Sequence, residues 1–213
     1  MVAPILRQFG VSVDAPRAAY AHYRGVAAID RDLSGTGGPY LGEYASAAGV
    51  RPDDLEAARG ALGDLWFRPS LELWRQPVEG AFDCLLGLGA SRHRLGIVSN
   101  SDGTVEAQLR ARGLCQVGPG SGVPVEVIAD SYNVGHAKPA PELFCWALDA
   151  MRVRPEEAVY IGDSYRIDVQ GATSAGLQAL HFDPEHLCEL NDHVHVRLLG
   201  KVLEAVDAIM RDQ

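Results

Sequence analysis

Ser99 and Asp163 stand where short apolar runs end, and with Lys138 and Asp168 their types suit an anion and a hard cation. Leu95-Gly96-Ile97-Val98 runs into Ser99-Asn100-Ser101-Asp102-Gly103-Thr104. A hydroxyl there, ahead of a helix start, offers an O–H and several backbone N–H groups to an anion. The same residue types also make ordinary caps and turns. Lys138 lies in Gly135-His136-Ala137-Lys138-Pro139-Ala140-Pro141, where the prolines stiffen the approach and start a helix. A fixed cation there suits neutralisation of a phosphoryl group, although this segment alone fits a solvated surface lysine equally well. Ala158-Val159-Tyr160-Ile161 delivers Asp163 after Gly162, which permits close backbone approach, and Asp168 follows about one helical turn later. Two carboxylates at such a mouth suit hydrated Mg2+, which prefers oxygen ligands. The alternative is that Asp163 caps the next helix.

The elements that must position these residues fall into two parts, divided near Pro77. Before it the pattern is helical. Asp14 caps a helix with Pro16 in its first turn and Ala19, Tyr23, Val26 and Ile29 at helical spacing. Gly35 to Pro39 is expected to be a loop, and Tyr40, Tyr44, Ala47 and Ala48 form a second helix stopped by Gly49. Pro52-Asp53-Asp54 opens a third, carrying Leu55, Ala58, Leu62 and Leu65. After Pro77, helical faces alternate with β-rich runs at Leu95–Val98, Val125–Ile128, Ala158–Ile161 and Leu177–Leu180. That alternation predicts an α/β fold with a parallel sheet covered by helices on both faces. In such sheets ligands bind at the carboxyl ends of the strands, where Ser99 and Asp163 stand.

Bulk properties narrow the partners. Twenty-eight acidic residues against 19 basic ones give a net charge of −9, which argues against nucleic acid or an anionic membrane as a main partner. No apolar run approaches the roughly 20 residues needed to cross a bilayer. The N-terminus lacks the apolar stretch and cleavage site of a secretion signal. Cys84, Cys115, Cys145 and Cys188 show no CxxC spacing. Reduced thiols in a cytoplasmic protein are therefore expected.

Taken in order, these segments resemble the haloacid dehalogenase-like (HAD) superfamily from about Pro77 to Pro184. Ser99 matches its second motif, and Lys138 in Lys-Pro-Ala-Pro-Glu-Leu-Phe the third. Gly162-Asp163-Ser164 with Asp168, then Gly171-Ala172 and Ala175-Gly176, match the fourth. The resemblance implies a Rossmannoid parallel sheet in residues 77–213 and a small helical cap in residues 1–76. It also implies a Mg2+-dependent phosphatase of a small phosphomonoester, as a monomer or homodimer. Ser99, assisted by the backbone around Asn100, would bind phosphoryl oxygens, and Lys138 would neutralise the nucleophile and phosphoryl group. Asp163 would ligate Mg2+, and Asp168 would support metal-bound water or Lys138. A non-catalytic phosphate- or partner-binding remnant and a metal-free 2-haloacid dehalogenase are the alternatives.

The family's first motif, Asp-x-Asp-x-Thr/Val after a central strand, supplies the nucleophile and a general acid/base. The literal match, Asp30-Arg31-Asp32-Leu33-Ser34, continues the helical phase of Val26 and Ile29 after an alanine-rich stretch of poor strand material. It is therefore read as a decoy. The expectations that follow are an absent first strand, an inactive chain as given, and a true motif upstream of Met1. Without that strand, those ending in Ser99 and Asp163 must leave a gap or pair with each other. The histidines, His193 and His195 among them, are expected in surface or packing roles. Tyr40, Tyr44, Trp66 and Trp74 are expected in the cap core, and Gly118 to Gly122 as a flexible loop that is no P-loop.

Overall fold

Helical periodicity in the first part of the chain becomes, among the described residues, four helices: α1 (Val2–Gln8), α2 (Ala15–Arg31), α3 (Gly37–Ala48) and α4 (Leu55–Trp66). They are seen in a computed structural model that describes residues 2–31, 37–66 and 77–211. Asp14 caps α2 as expected, its Oδ1 accepting the N–H of Arg17 at 2.9 Å. Gly49 ends α3 at a φ of +108°, a conformation that a Cβ disfavours. Leu6, Ala21, Ala45, Ala58 and Leu62 form one apolar core with Tyr40 and Tyr44. Burying a leucine there contributes about 1.5–3 kcal/mol. Gly25 lets α3 approach α2, because a Cβ on it would lie 2.6 Å from the Tyr40 ring.

Two departures from expectation occur here. Helix α1 was not anticipated, and its single buried residue, Leu6, shows why: seven residues carry too little period to read. Gly37, Gly38 and Pro39 form the first turn of α3 rather than a loop. Proline is tolerated there because first-turn N–H groups have no helical partner. Gly35, Thr36, Trp74 and the side chain of Trp66 lie outside the described residues.

From residue 77 the order is α5 (Ala81–Gly89), β1 (Gly96–Ser99), α6 (Val105–Ala111), β2 (Cys115–Val117), β3 (Val123–Val125), β4 (Val127–Asp130), α7 (Ser131–Val134) and α8 (Pro141–Met151). Then come β5 (Val159–Gly162), α9 (Gly171–Ser174), β6 (Gln178–Phe182), β7 (Val194–Val196) and α10 (Val202–Arg211). All strand pairs are parallel, as predicted. The anticipated strands are present, each starting and ending one or two residues later than expected. Strands β2, β3 and β7 were not anticipated; three residues each show no alternation to detect. The glycine-rich run from 118 to 122 joins β2 to β3 and is held by Gln116, which donates to Gly122 O at 3.1 Å and accepts from Gly122 N at 3.0 Å.

Strand β1 pairs with β4, while β5, β6 and β7 form a separate sheet. Of the two outcomes anticipated for β1 and β5, the structure shows the gap. An apolar cavity of about 690 Å³ borders both strands, lined by Ile97, Leu148, Val159, Ile161, Val202 and Val206 among others. At its upper end the Tyr160 side chain reaches across the space, its hydroxyl 3.1 Å from Val98 O. Helix α8 covers β1 and β4 through Leu143 and Ala147, and α10 covers β6 and β7 through Val202 and Val206. No described helix is long and apolar enough to cross a membrane.

Candidate functional site

The loop after β1 is shaped from the neighbouring strand. Ser99 pairs in register with Asp130, the last residue of β4. The buried Asp130 carboxylate accepts from the backbone of Gly103 at 3.1 Å, Val105 at 3.3 Å and Tyr132 at 3.0 Å. Ser131 adds a reciprocal pair with the backbone of Ser101, at 3.0 and 3.1 Å. The chain from Ser99 to Thr104 is thereby held open, and the Ser99 hydroxyl makes no hydrogen bond to the described residues.

Asn100 ties this loop to Lys138. Its Nδ2 donates to Lys138 O at 2.9 Å, and its Oδ1 accepts from Lys138 N at 2.7 Å. Its side chain is thus committed to the protein, and only its backbone remains for a ligand. Beyond Lys138, Pro141 starts α8, whose first N–H groups need no helical partner.

The Lys138 ammonium is nearly buried, with its side chain 11% exposed. It donates to Asp168 Oδ1 at 2.6 Å and to the Tyr160 hydroxyl at 2.9 Å. Burial opposes its charge, but the Tyr160 hydroxyl and the Asp168 carboxylate outweigh that and raise its pKa above the ordinary lysine value. Burial, the largest influence on Tyr160, pushes that phenol up and keeps it neutral.

Asp168 joins the second and third segments. Its Oδ2 accepts the backbone N–H groups of Asp163 and Ser164, each at 3.1 Å, while its Oδ1 faces Lys138 and Tyr160. The π-helical turn Tyr165–Gln170 folds it back over Gly162. A Cβ on Gly162 would lie 2.3 Å from Asp168 Cγ, so close approach requires glycine there. With four donors on its two oxygens, Asp168 acts as a positioning group.

Asp163 lies at the mouth of β5, and its side chain is 37% exposed. His22 of α2 reaches it, with Nε2 3.3 Å from Oδ2, while His22 Nδ1 lies 2.8 Å from the Tyr40 hydroxyl. Desolvation opposes ionisation of Asp163. The His22 contact and then the Lys138 charge prevail, holding its carboxyl below the ordinary aspartate value. Asp163 therefore does not merely cap the following turn: that task falls to Ser164, whose Oγ accepts from Ile167 N at 3.1 Å.

Asp30 stands near the C-terminal end of α2, on a helix rather than a strand. Its carboxylate accepts from Ser164 Oγ at 2.6 Å, Tyr165 N at 2.8 Å and Arg166 N at 2.9 Å. It fastens α2 to the loop beside Asp163. Asp32, the other carboxylate of the literal match, lies outside the described residues.

The structure thus brings Asn100, Lys138, Asp163 and Asp168 into one hydrogen-bonded set. Ser99 joins it only through its chain neighbours Val98 and Asn100. His22, Asp30, Asp130 and Tyr160 were missed as members. Asp130 had a readable signal, an aspartate closing an apolar run as Asp163 does; His22 had none.

A family model described as haloacid dehalogenase-like hydrolase matches residues 53–176. A phosphoserine phosphatase of Thermus thermophilus is 32% identical over 181 residues, which cover 80% of this chain and 70% of that protein. A ribulose-1,5-bisphosphate 5-phosphatase of Halopiger xanaduensis is 31% identical over 125 residues, covering 58% of this chain and about half, 49%, of the relative's length. Among solved structures, the HAD-hydrolase YfnB from Bacillus subtilis bound to magnesium superposes with a TM-score of 0.58 at 21% identity, covering 96% of this chain and 88% of that one; the likeness is one of fold.

Proposed function

Since the chain belongs to the haloacid dehalogenase-like hydrolases, we propose that its site is built for small phosphomonoesters and Mg2+, with residues 77–213 as the core and residues 1–76 as a helical cap. The observation that carries this reading is the clamped cation. Lys138 is buried, kept charged by Asp168 and Tyr160, and fixed at its backbone by Asn100. A preorganised cation of this kind stabilises charge developing on a phosphoryl group without reorganisation. The open loop from Ser99 to Thr104 supplies the Ser99 hydroxyl and backbone N–H groups for phosphoryl oxygens. The phosphatase names of the Thermus and Halopiger relatives support the substrate class.

Mg2+ fits the donor set on one side. Asp163 is a hard oxygen donor, held ionised and partly exposed, whereas the oxygens of Asp168 are already occupied. Mg2+ is commonly held by one or two carboxylates together with water and substrate phosphate. When bound, it would act as a Lewis acid on a phosphoryl oxygen. Gly162-Asp163 supports this over metal-free dehalogenation.

Covalent phosphoryl transfer of the kind the family resemblance implies also needs a carboxylate nucleophile. Neither β1 nor β5 carries an Asp-x-Asp, and Asp30 is committed to the loop at Ser164 to Arg166. The chain as given is therefore proposed to bind phosphate without hydrolysing esters. Calorimetry with inorganic phosphate, with and without Mg2+, beside turnover of an aryl phosphate, tests this. Expected are Mg2+-assisted binding that weakens in Asp163→Asn and Lys138→Met, and no turnover. Mg2+-dependent turnover abolished by Asp30→Ala would overturn the assignment of Asp30, and halide release from a 2-haloacid without metal would sink the phosphatase reading.

A further inference from the structure

His181, Cys188, His193 and His195 offer four ligand atoms that all lie within 4.8 Å of one another. Three different pieces of chain deliver them. His181 on β6 and His195 on β7 are register partners on adjacent parallel strands. Cys188 and His193 come from the connection between those strands. Asp183 shapes that connection, its carboxylate accepting from Leu187 N at 2.9 Å and Cys188 N at 3.1 Å.

The hydrogen bonds assign which nitrogen of each ring is free. His181 Nε2 lies 3.2 Å from the carbonyl oxygen of Asp163, and His195 Nε2 lies 3.0 Å from that of Leu190. A carbonyl only accepts, so both nitrogens carry hydrogen. His193 Nδ1 lies 2.7 Å from the Asp192 carboxylate and donates likewise. In the neutral rings, His181 Nδ1, His193 Nε2 and His195 Nδ1 are therefore bare lone pairs. His181 Nδ1 and His193 Nε2 point at each other across 2.9 Å, and Cys188 Sγ stands 4.0 Å from the same His193 Nε2. Asp183 Oδ2, 3.6 Å from His195 Nδ1, is too far to hydrogen-bond it. Two facing lone pairs repel unless a proton or a cation lies between them. A proton would satisfy one pair of atoms; it leaves the sulfur and the third imidazole converging on the same point without a reason.

We infer that these four residues form a closed site for a borderline divalent transition metal of the Zn2+ class. Metal–ligand bonds of about 2.0–2.3 Å in a tetrahedron place ligand atoms about 3.3–3.8 Å apart, between the shortest and longest separations seen here. Three imidazoles and a thiolate match zinc, and hard Mg2+ is poorly suited. The held N–H groups of the three histidines are the outer contacts that orient metal-binding imidazoles. On binding, the thiol proton of Cys188 passes to solvent as the metal–sulfur bond forms. The ion would tie β6, β7 and their connection together. Through His181 it would also fix the backbone of Asp163, so that a structural ion supports the candidate active site from behind. His193 and His195, read from sequence as surface or packing residues, are thereby assigned as ligands.

The test is Co2+ substitution in the full chain after chelator treatment, in excess Mg2+. One Co2+ per chain should give a thiolate-to-cobalt charge-transfer band with intense tetrahedral visible bands. Cys188→Ser should abolish the charge-transfer band, and His195→Ala should weaken binding at least about tenfold, about 1.4 kcal/mol. On the unaltered chain, competition with a colorimetric chelator should give a Zn2+ Kd tighter than about 1 μM. Absence of the charge-transfer band in the unaltered chain, an undiminished band in Cys188→Ser, or a Zn2+ Kd weaker than about 100 μM would overturn the site. Because two of these measurements need no substitution, a variant that fails to fold does not shelter the proposal.

Discussion

His22 Nε2 lies 3.3 Å from Asp163 Oδ2, across 141 residues of sequence. One of these residues sits on the second helix of the chain and the other at the mouth of β5. The contact makes the ionisation of Asp163 depend on the position of α2.

That dependence has a pH signature. The pKa of Asp163 is depressed in the fold, with desolvation opposed by His22 and then Lys138. A depressed carboxyl contributes stability that is present above its unfolded pKa, near 3.9, and is lost as pH falls through the lower folded value. In chelator-treated protein, His22→Ala should lower Tm at neutral and mildly acid pH, and the difference from the unaltered chain should shrink as pH drops below the ordinary carboxylate range. A Tm difference that persists undiminished below the ordinary carboxylate range would refute the assignment.

Lys138→Met should be strongly destabilising, because it leaves the Asp168 carboxylate buried against Tyr160 without its cation. Breaking one side of such a pair costs about 3–5 kcal/mol. Replacing both, as Lys138→Met with Asp168→Leu, should recover part of this in denaturant unfolding, since the orphaned charge is gone. Phosphate binding should stay lost in both.

Gly162→Ala forces a Cβ to within 2.3 Å of Asp168 Cγ, in the backbone as it stands. Overpacking of this kind costs about 1–3 kcal/mol. Displacing Asp168 should also loosen Lys138, so phosphate affinity should fall with stability. Calorimetry beside thermal unfolding would check that the two losses occur together.

Asn100→Ala removes both bonds to the Lys138 backbone at an exposed position, worth about 0.5–1.5 kcal/mol each. Asn100→Asp keeps the acceptor for Lys138 N and loses only the donor to Lys138 O. It also sets a carboxylate oxygen against the Lys138 carbonyl and beside the loop proposed for phosphate, so phosphate affinity should fall in both variants. An Asn100→Ala variant with full affinity would show that the clamp does not position Lys138.

Much of the fold was legible because it is local. The alternation of helical faces with apolar runs after Pro77 marked the parallel strands, and Ser99 and Asp163 were found because polar residues closing apolar runs stand at strand mouths. What stayed hidden was short or distant. Strand β7 has three residues, and without it His195 has no place beside His181. Gly37 to Pro39 looked like a loop because glycine and proline are punctuation in most contexts, and the helix start is the exception.

By itself the sequence determined the order of the candidate groups along the chain, their places at strand ends, and the helical character of the segment holding Asp30. Those properties depend on side-chain period and backbone preference over a few residues. Only the tertiary structure decided that Asp168 serves Lys138, that His22 meets Asp163, and that His181, Cys188, His193 and His195 converge. Such contacts form where packing brings together residues from separate elements, and no local pattern records which ones will meet. Lys138 and Asp168 show the division: each was visible in its own motif, and the 2.6 Å bond that sets their roles exists only in the fold.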